Sequence, residues 1–289
     1  MEPWITDLAD EMISSMVIAE QVDAAQVLTY PFPARVLCHL LKLPDTDWAK
    51  IKQWSEEVFR YMEERENDPV RHAEANRKLH DYGAQMIKSR LPMGLDPSED
   101  IVTGLLSHKV DGQPLTSEAV FGIVRLLLSA GHNSTTSSMG ISLLRIAEDQ
   151  QLQDRLRANP DLIATAIPEF LRHESPVMAT PRHITRDIEF AGKSMKAGEL
   201  AMLVWSSANR DSDHFDEPEQ CKIGRSTTDA VTFGHGIHKC LGMPLALMEI
   251  RIVLQKLLAS TTSITLAGPV ERTTWERYGV SRLPLLLRK

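Results

Sequence analysis

The chain has 289 residues, 43% of them apolar and 25% charged, the balance of a soluble globule with enough apolar surface for a sizeable core. A net charge of −7 and a pI near 5.8, without a long run of like charges, exclude nucleic-acid and anionic-membrane partners and leave small molecules or a protein. Cys38, Cys221 and Cys240 form an odd set without framework spacing, which points to a reducing, cytoplasmic compartment.

Met1-Glu2-Pro3-Trp4 carries no basic segment leading into an apolar one, so no signal peptide is expected. The apolar stretch Phe121–Gly131 contains Arg125 and is too short for a membrane span. From Ile5 to about Val22, Ile5, Leu8, Met12 and Met16 recur at three- and four-residue steps, which predicts an amphipathic helix. Tyr30-Pro31-Phe32-Pro33 begins a second, running through Val36, Leu37, Leu40 and Leu41 to a stop at Pro44. Trp48–Arg65 and His72–Leu91 read as longer helices with charged outer faces, separated by Asn67-Asp68-Pro69. Ser98-Glu99-Asp100-Ile101 is a capped helix start, and Asp111-Gly112-Gln113-Pro114 is a turn.

Thr116-Ser117-Glu118 launches one long predicted helix, Ala119 to about Ala147, on the order of 40 Å at 1.5 Å per residue. Its middle, Ala130-Gly131-His132-Asn133-Ser134-Thr135-Thr136, is dense in polar residues. Gly131 costs about 1 kcal/mol against alanine there, and Ser and Thr side chains bond back to the preceding turn and open the ladder. On these residues alone, the stretch is either a polar face packed on another helix or a functional opening.

A short helix near Leu152–Ala158 precedes another that runs from Pro160-Asp161 to Ser175-Pro176. The latter holds Glu169 and Arg172 on one face, a pairing worth only about 0.2–0.5 kcal/mol on a surface. The composition then shifts to short strands, His183–Thr185, Asp187–Phe190 and Ala201–Trp205, with turns at Ala191-Gly192 and Lys196-Ala197-Gly198. Leu241–Leu258 reads as an apolar helix, and Ile264–Leu266 with Gly279–Leu287 as a terminal hairpin.

Residues 233–242 read Phe-Gly-His-Gly-Ile-His-Lys-Cys-Leu-Gly. Gly234, Gly236 and Gly242 lack a Cβ, so the backbone can turn sharply and lie flat against something broad. Cys240 is expected at the N-terminus of the helix that follows, where free N–H groups and the dipole favour thiolate over thiol. The alternatives are a plain buried cysteine and a zinc site of His235, His238 and Cys240, which lacks a fourth ligand at a recognisable spacing.

These residues resemble the cysteine-ligand loop of the cytochrome P-450 family, of the soluble bacterial type. The resemblance implies a mainly α fold with small β-sheets, forming one haem-thiolate domain over residues 1–289. Residues 1–160 would form its helical part with the long distal helix, and 161–289 a helix, short strands and the ligand loop. It further implies that Cys240 is the thiolate ligand of haem b (iron protoporphyrin IX), that His238 and Arg182 hold its propionates, and that Phe233 covers the sulphur. Gly234, Gly236 and Gly242 would shape the loop, and Ala130 and Gly131 would lie over the haem.

The family's oxygen pocket carries an acid and an alcohol on the long helix, where this chain has Asn133 and Ser134, with His132 and Thr135 beside them. Asn133 cannot ionise, so the resemblance assigns proton delivery here to water, His132 or the hydroxyls. Glu169 and Arg172 match a pair that joins a later arginine, here Arg225, to brace the ligand loop. Leu127, Val177, Met178 and Tyr278, with the tip around Trp275, would line an apolar substrate pocket.

The implied activity is monooxygenation, the insertion of one oxygen atom from O2 into an apolar small organic substrate. Electrons would come from a ferredoxin and its NAD(P)H-dependent reductase, with Lys239, Arg251 and Lys256 as the docking charges. The competing expectations are a haem-binding remnant or sensor and an H2O2-driven peroxygenase. Measured against the family pattern the chain lacks N-terminal elements, for which the resemblance leaves two explanations: a truncated product, or a natural short form that closes its pocket by oligomerisation or with a partner.

Overall fold

A computed structural model describes residues 1–63, 69–273 and 278–289. The predicted separator Asn67-Asp68 and the tip residue Trp275 lie outside the described residues.

Helix α1 (Glu2–Ala19) leads through strand β1 (Gln21–Asp23) and a π-helical turn (Ala25–Thr29) into α2 (Pro31–Leu40), which opens on proline as expected. Then come α3 (Trp48–Glu63) and α4 (Pro69–Arg90). Helix α5 (Ile101–Ser107) is capped by Asp100, whose carboxylate accepts the Thr103 N–H at 2.8 Å. A two-residue hairpin, β2 (Lys109–Val110) and β3 (Gln113–Pro114), turns at Asp111-Gly112, both in the left-handed region.

The long helix of the sequence is two helices, α6 (Ser117–Ala130) and α7 (Asn133–Glu148), broken at Gly131-His132. Next follow α8 (Gln150–Ala158) and α9 (Leu162–His173). Strand β4 (Thr180–His183) pairs with β7 (Leu200–Leu203), and β5 (Ile188–Phe190) with β6 (Lys193–Met195). The first strand therefore begins three residues before its predicted start, because its partner β7 reaches Thr180 through Leu203. Trp205, predicted as strand, starts the short helix α10 (Trp205–Ala208).

Helix α11 (Met243–Ser260) is followed by β8 (Ser263–Leu266), β9 (Glu271–Thr273), β10 (Gly279–Arg282) and β11 (Pro284–Arg288). The predicted pairing of Ile264–Leu266 with the terminal segment forms at Leu285–Leu287, while Gly279–Arg282 is a separate strand with another partner. β11 sits between β1 and β8 in one antiparallel sheet, while β10 pairs with β9.

Two apolar cores result. The larger joins α1, α7, α8, α9, α11 and the end strands, with Ile5, Met139, Phe170, Leu254 and Leu285 fully or nearly buried. The smaller joins α2 to α6, around Leu41, Ile51, Leu79, Val124 and Leu128. Helix α7 belongs to the larger and α6 to the smaller, so the break lies where the cores meet. Among the described residues no helix is long and apolar enough to cross a membrane.

Candidate functional site

The cysteine loop is closed by its own backbone: the Cys240 N–H donates to the Phe233 carbonyl at 2.8 Å, and the Lys239 N–H to Gly236 at 3.1 Å. Gly234 adopts φ 71°, and a Cβ there would come within 3.1 Å of the His238 carbonyl, so the turn requires glycine. Helix α11 begins at Met243, later than predicted. Gly242 forms its N-cap and Pro244 occupies the first turn, a position where the missing N–H is no loss. Cys240 thus precedes the helix and stands exposed, with Ile237 97% and Leu241 92% exposed beside it. His238 and Gly236 are exposed in a single 3₁₀ turn, while Phe233 is half-buried and packs on the larger core. The plain buried-cysteine alternative fails on this exposure.

The segment leading to the loop is pinned from α9. Arg172 donates to both Glu169 oxygens at 2.7 and 2.9 Å, and to the carbonyls of Asn209, Pro218 and Gln220 at 2.7, 3.0 and 3.1 Å. Arg225 donates to Glu169 at 3.2 Å, and the Lys222 N–H to the same oxygen at 2.8 Å. Burial alone would raise the Glu169 carboxyl. The Arg172 and Lys222 hydrogen bonds, with the Arg172 and Arg225 charges, instead hold it below the usual carboxylate range. A one-turn spacing on α9 and a loop arginine fifty-odd residues later thus meet as one unit.

At the helix break, Gly131 caps α6, and a Cβ there would lie 2.5 Å from the Leu127 carbonyl and 3.1 Å from Leu37. Its exposed side presents Leu126, Ala130 and Gly131, with Ser134 and Leu127 half-exposed, while Thr135 is 5% exposed. His132 and Asn133, at 0% and 3%, turn the other way, onto α3. Lys52 Nζ donates to Asn133 Oδ1 and to Thr136 Oγ1, both at 3.1 Å, and pairs with Glu56 at 3.2 Å. Asn133 Nδ2 donates to Ser55 Oγ at 2.7 Å, and Ser55 Oγ meets His132 Nε2 at 3.0 Å. So neither His132 nor Asn133 offers its polar group to the open face, beside which Ser134 is half-exposed. Sequence reasoning missed Lys52 and Ser55. Their signal was two polar residues on the inner side of an amphipathic helix.

Val177 and Met178 are half-buried in the wall after α9, where the Tyr278 N–H donates to the Pro176 carbonyl at 2.8 Å. The Tyr278 phenol itself accepts from Arg272 at 2.6 Å. Arg182 sits half-exposed on β4 with only local bonds, to the Pro181 carbonyl at 2.8 Å and Thr180 Oγ1 at 3.4 Å, so its guanidinium keeps donors in reserve. Two of the expected docking charges are spent: Arg251 pairs with Glu2 at 2.6 Å and Lys256 with Asp10 at 2.7 Å, which leaves Lys239.

These residues fit a haem. One soft sulphur donor stands free between exposed apolar residues, and no group of three His, Cys, Asp or Glu among the described residues could hold a bare metal ion. A thiolate with an iron already held by a macrocycle needs no such group. Arg182 and His238 carry N–H donors of the kind that a macrocycle's carboxylates would accept.

A model of the cytochrome P450 family matches residues 1–262. The chain is 31% identical to the vitamin D(3) 25-hydroxylase of Pseudonocardia autotrophica, covering 99% of this chain and 71% of that protein. It is 30% identical to the cytochrome P450 monooxygenase PikC of Streptomyces venezuelae, over 100% and 70% of the two chains. It superposes on CYP109E1 from Bacillus megaterium, solved in complex with testosterone, with a TM-score of 0.87 and 31% identity, over 100% of this chain and 79% of that one.

Proposed function

We propose, since this chain belongs to the cytochrome P450 family and is a haem-thiolate monooxygenase, that it binds haem b through Cys240 and oxidises an apolar, medium-sized organic molecule. The observation that carries the reading is the open Cys240 thiol on a glycine loop whose approach is pinned by Glu169, Arg172 and Arg225. Bound haem supplies oxygen activation, with the thiolate ligand favouring oxygen–oxygen cleavage.

The chain's own residues divide the rest. Glu169, Arg172 and Arg225 hold the segment before the loop, so that Cys240 is presented in one place. Arg182 and His238 orient the cofactor's carboxylates. Gly131 lets the backbone approach closely, and Ser134 Oγ holds a proton at the open face of the break. Leu127, Val177 and Met178 exclude water and grip apolar surface; the apolar names attached to two relatives, vitamin D(3) and testosterone, suit such a wall. Lys239 offers a cation to an acidic ferredoxin, whose NAD(P)H-dependent reductase supplies the electrons in the cytoplasm.

Exposed Ile237 and Leu241 favour a partner or second copy where haem does not cover them. A peroxide-driven variant of the same chemistry is favoured by one observation: His132 and Asn133 turn their polar groups onto α3, away from the open face.

The test is the spectrum of the reduced, CO-bound protein, loaded with haem, beside Cys240→Ser. A strongly red-shifted Soret band in the parent, absent in Cys240→Ser, is expected; the same band position in both sinks the assignment of Cys240. Product formation with NAD(P)H, ferredoxin and reductase against H2O2 alone then decides the electron source.

A further inference from the structure

The wall at Val177 and Met178 hangs between two main-chain tethers. The Tyr278 N–H donates to the Pro176 carbonyl at 2.8 Å on one side, and the Ser206 N–H to the Met178 carbonyl at 3.1 Å on the other. The second tether belongs to α10, which is itself fastened by Trp205 Nε1 on Thr180 Oγ1 at 3.0 Å. The first belongs to the β9–β10 pair, a short hairpin with a register shift between Val280 and Arg282, and its own ladder is too small to be rigid.

What steadies it is a ladder of charges. Arg272, on β9, donates from one nitrogen to the Tyr278 phenol oxygen and to Glu174 Oε2, both at 2.6 Å, and its guanidinium lies 5.1 Å over the Tyr278 ring. Glu174, at the end of α9, accepts through its other oxygen from Arg145 of α7 at 2.6 Å. Arg145 also donates to His173 Nδ1 at 2.9 Å. That leaves His173 Nε2 as the donor to the Glu219 carbonyl, at 2.9 Å. Burial, with Arg145 and Arg210 nearby, keeps the His173 ring below its ordinary value and so neutral. Glu174 thus ties the distal helix, the bracing helix and the last hairpin at one carboxylate that is 10% exposed, where such pairs are screened less than on an open surface.

We infer that Arg272 is a positioning residue. By fixing Tyr278 against Glu174 it fixes the Pro176–Met178 wall, and so sets how tightly a bulky apolar molecule is gripped. The inference rests on the reading that Val177 and Met178 line the substrate pocket. Removing Glu174 would leave two arginines facing each other, whereas removing Arg272 leaves Glu174 paired with Arg145. Arg272 is therefore the clean place to cut.

The experiment compares the parent with Arg272→Met and Arg272→Lys. The first readout is hydrogen exchange at the Tyr278 amide, in haem-free and haem-loaded protein. The second is spectral titration of the loaded protein with imidazole, which needs only the iron, and with 4-phenylimidazole, whose phenyl group needs the wall. Arg272→Met is expected to speed exchange at Tyr278 roughly tenfold, the loss of one charge-assisted hydrogen bond. It should weaken 4-phenylimidazole several-fold, leave imidazole unchanged, and be partly rescued by Arg272→Lys. Unchanged exchange overturns the positioning role. Faster exchange with unchanged 4-phenylimidazole overturns the link from hairpin to pocket. A parent that binds neither imidazole has failed at the haem site, a failure separate from the exchange result.

Discussion

Arg172 and Lys52 are both buried cations, one before the cysteine loop and one behind the helix break, and they are held in different ways. Arg172, fully buried, faces a fully buried carboxylate through a two-pronged contact and spends its remaining donors on three carbonyls. Lys52, 6% exposed, is received by the neutral Asn133 and Thr136 and by the face of the Tyr30 ring at 4.8 Å; its carboxylate, Glu56, is 31% exposed. A planar guanidinium locked on a carboxylate fixes direction as well as place, while an ammonium among neutral acceptors fixes place alone. The segment that leads to the Cys240 loop has the stricter fastening. The break, which has only to keep an open face, has the looser one.

Three substitutions test that contrast. Arg172→Ala is expected to have the largest effect. It leaves Glu169 buried with only Arg225 and the Lys222 N–H, a loss of about 3–5 kcal/mol for a broken buried pair, and it abolishes haem incorporation. Holoprotein of normal yield and normal CO spectrum would refute the brace.

Lys52→Met comes next. Thr136 keeps its bond to the His132 carbonyl at 3.1 Å and Asn133 keeps Ser55 and Ser129, while Asn133 Oδ1, Thr136 Oγ1, Glu56 and the Tyr30 ring lose the ammonium. The expected cost is about 1–3 kcal/mol in denaturant unfolding, with haem still bound. A loss as large as that of Arg172→Ala would erase the distinction between the two fastenings.

Glu249 of α11 is the mirror case, a buried carboxyl with no ion-pair partner among the described residues. It is 2% exposed, its Oε2 has no hydrogen-bond partner, and burial pushes its carboxyl well above the ordinary 4.5. A carboxyl with a raised folded value holds its proton more tightly when folded. Its contribution is therefore complete below the unfolded value and is lost as pH rises through the folded one. Glu249→Gln should flatten the fall of Tm as pH rises above the ordinary 4.5, by roughly 2–4 °C for each kcal/mol relieved. An unchanged slope would mean that another group governs it.

Much of this was readable before any tertiary contact. The helices announce themselves because apolar residues recur at helical steps, and α2 and α5 carry their own start signals in Pro31 and Asp100, whereas α11 starts two residues after its expected place. The cysteine loop is contiguous, so its glycines, its basic residues and Cys240 can be seen together. Glu169 and Arg172 share one helical turn, and Arg225 was found through its motif position relative to Phe233.

Other features depend on partners remote in the chain. Lys52 is 81 residues from Asn133, Glu174 is 98 from Arg272, and β11 lies between β1 and β8. No local pattern specifies which polar residue on the inner side of α3 meets which one on α7. The sequence carried the reason for the helix break, a glycine followed by polar residues, but not where its side chains point. Packing decided that: α6 and α7 belong to different cores, and the polar groups between them turned to the nearest buried cation. By itself the sequence determined most of the elements and singled out Cys240 as the candidate ligand, because those rest on periodicity and on short spacing. Only the tertiary structure decided which residues face the site, because burial and charge pairing are settled between segments that meet only after folding.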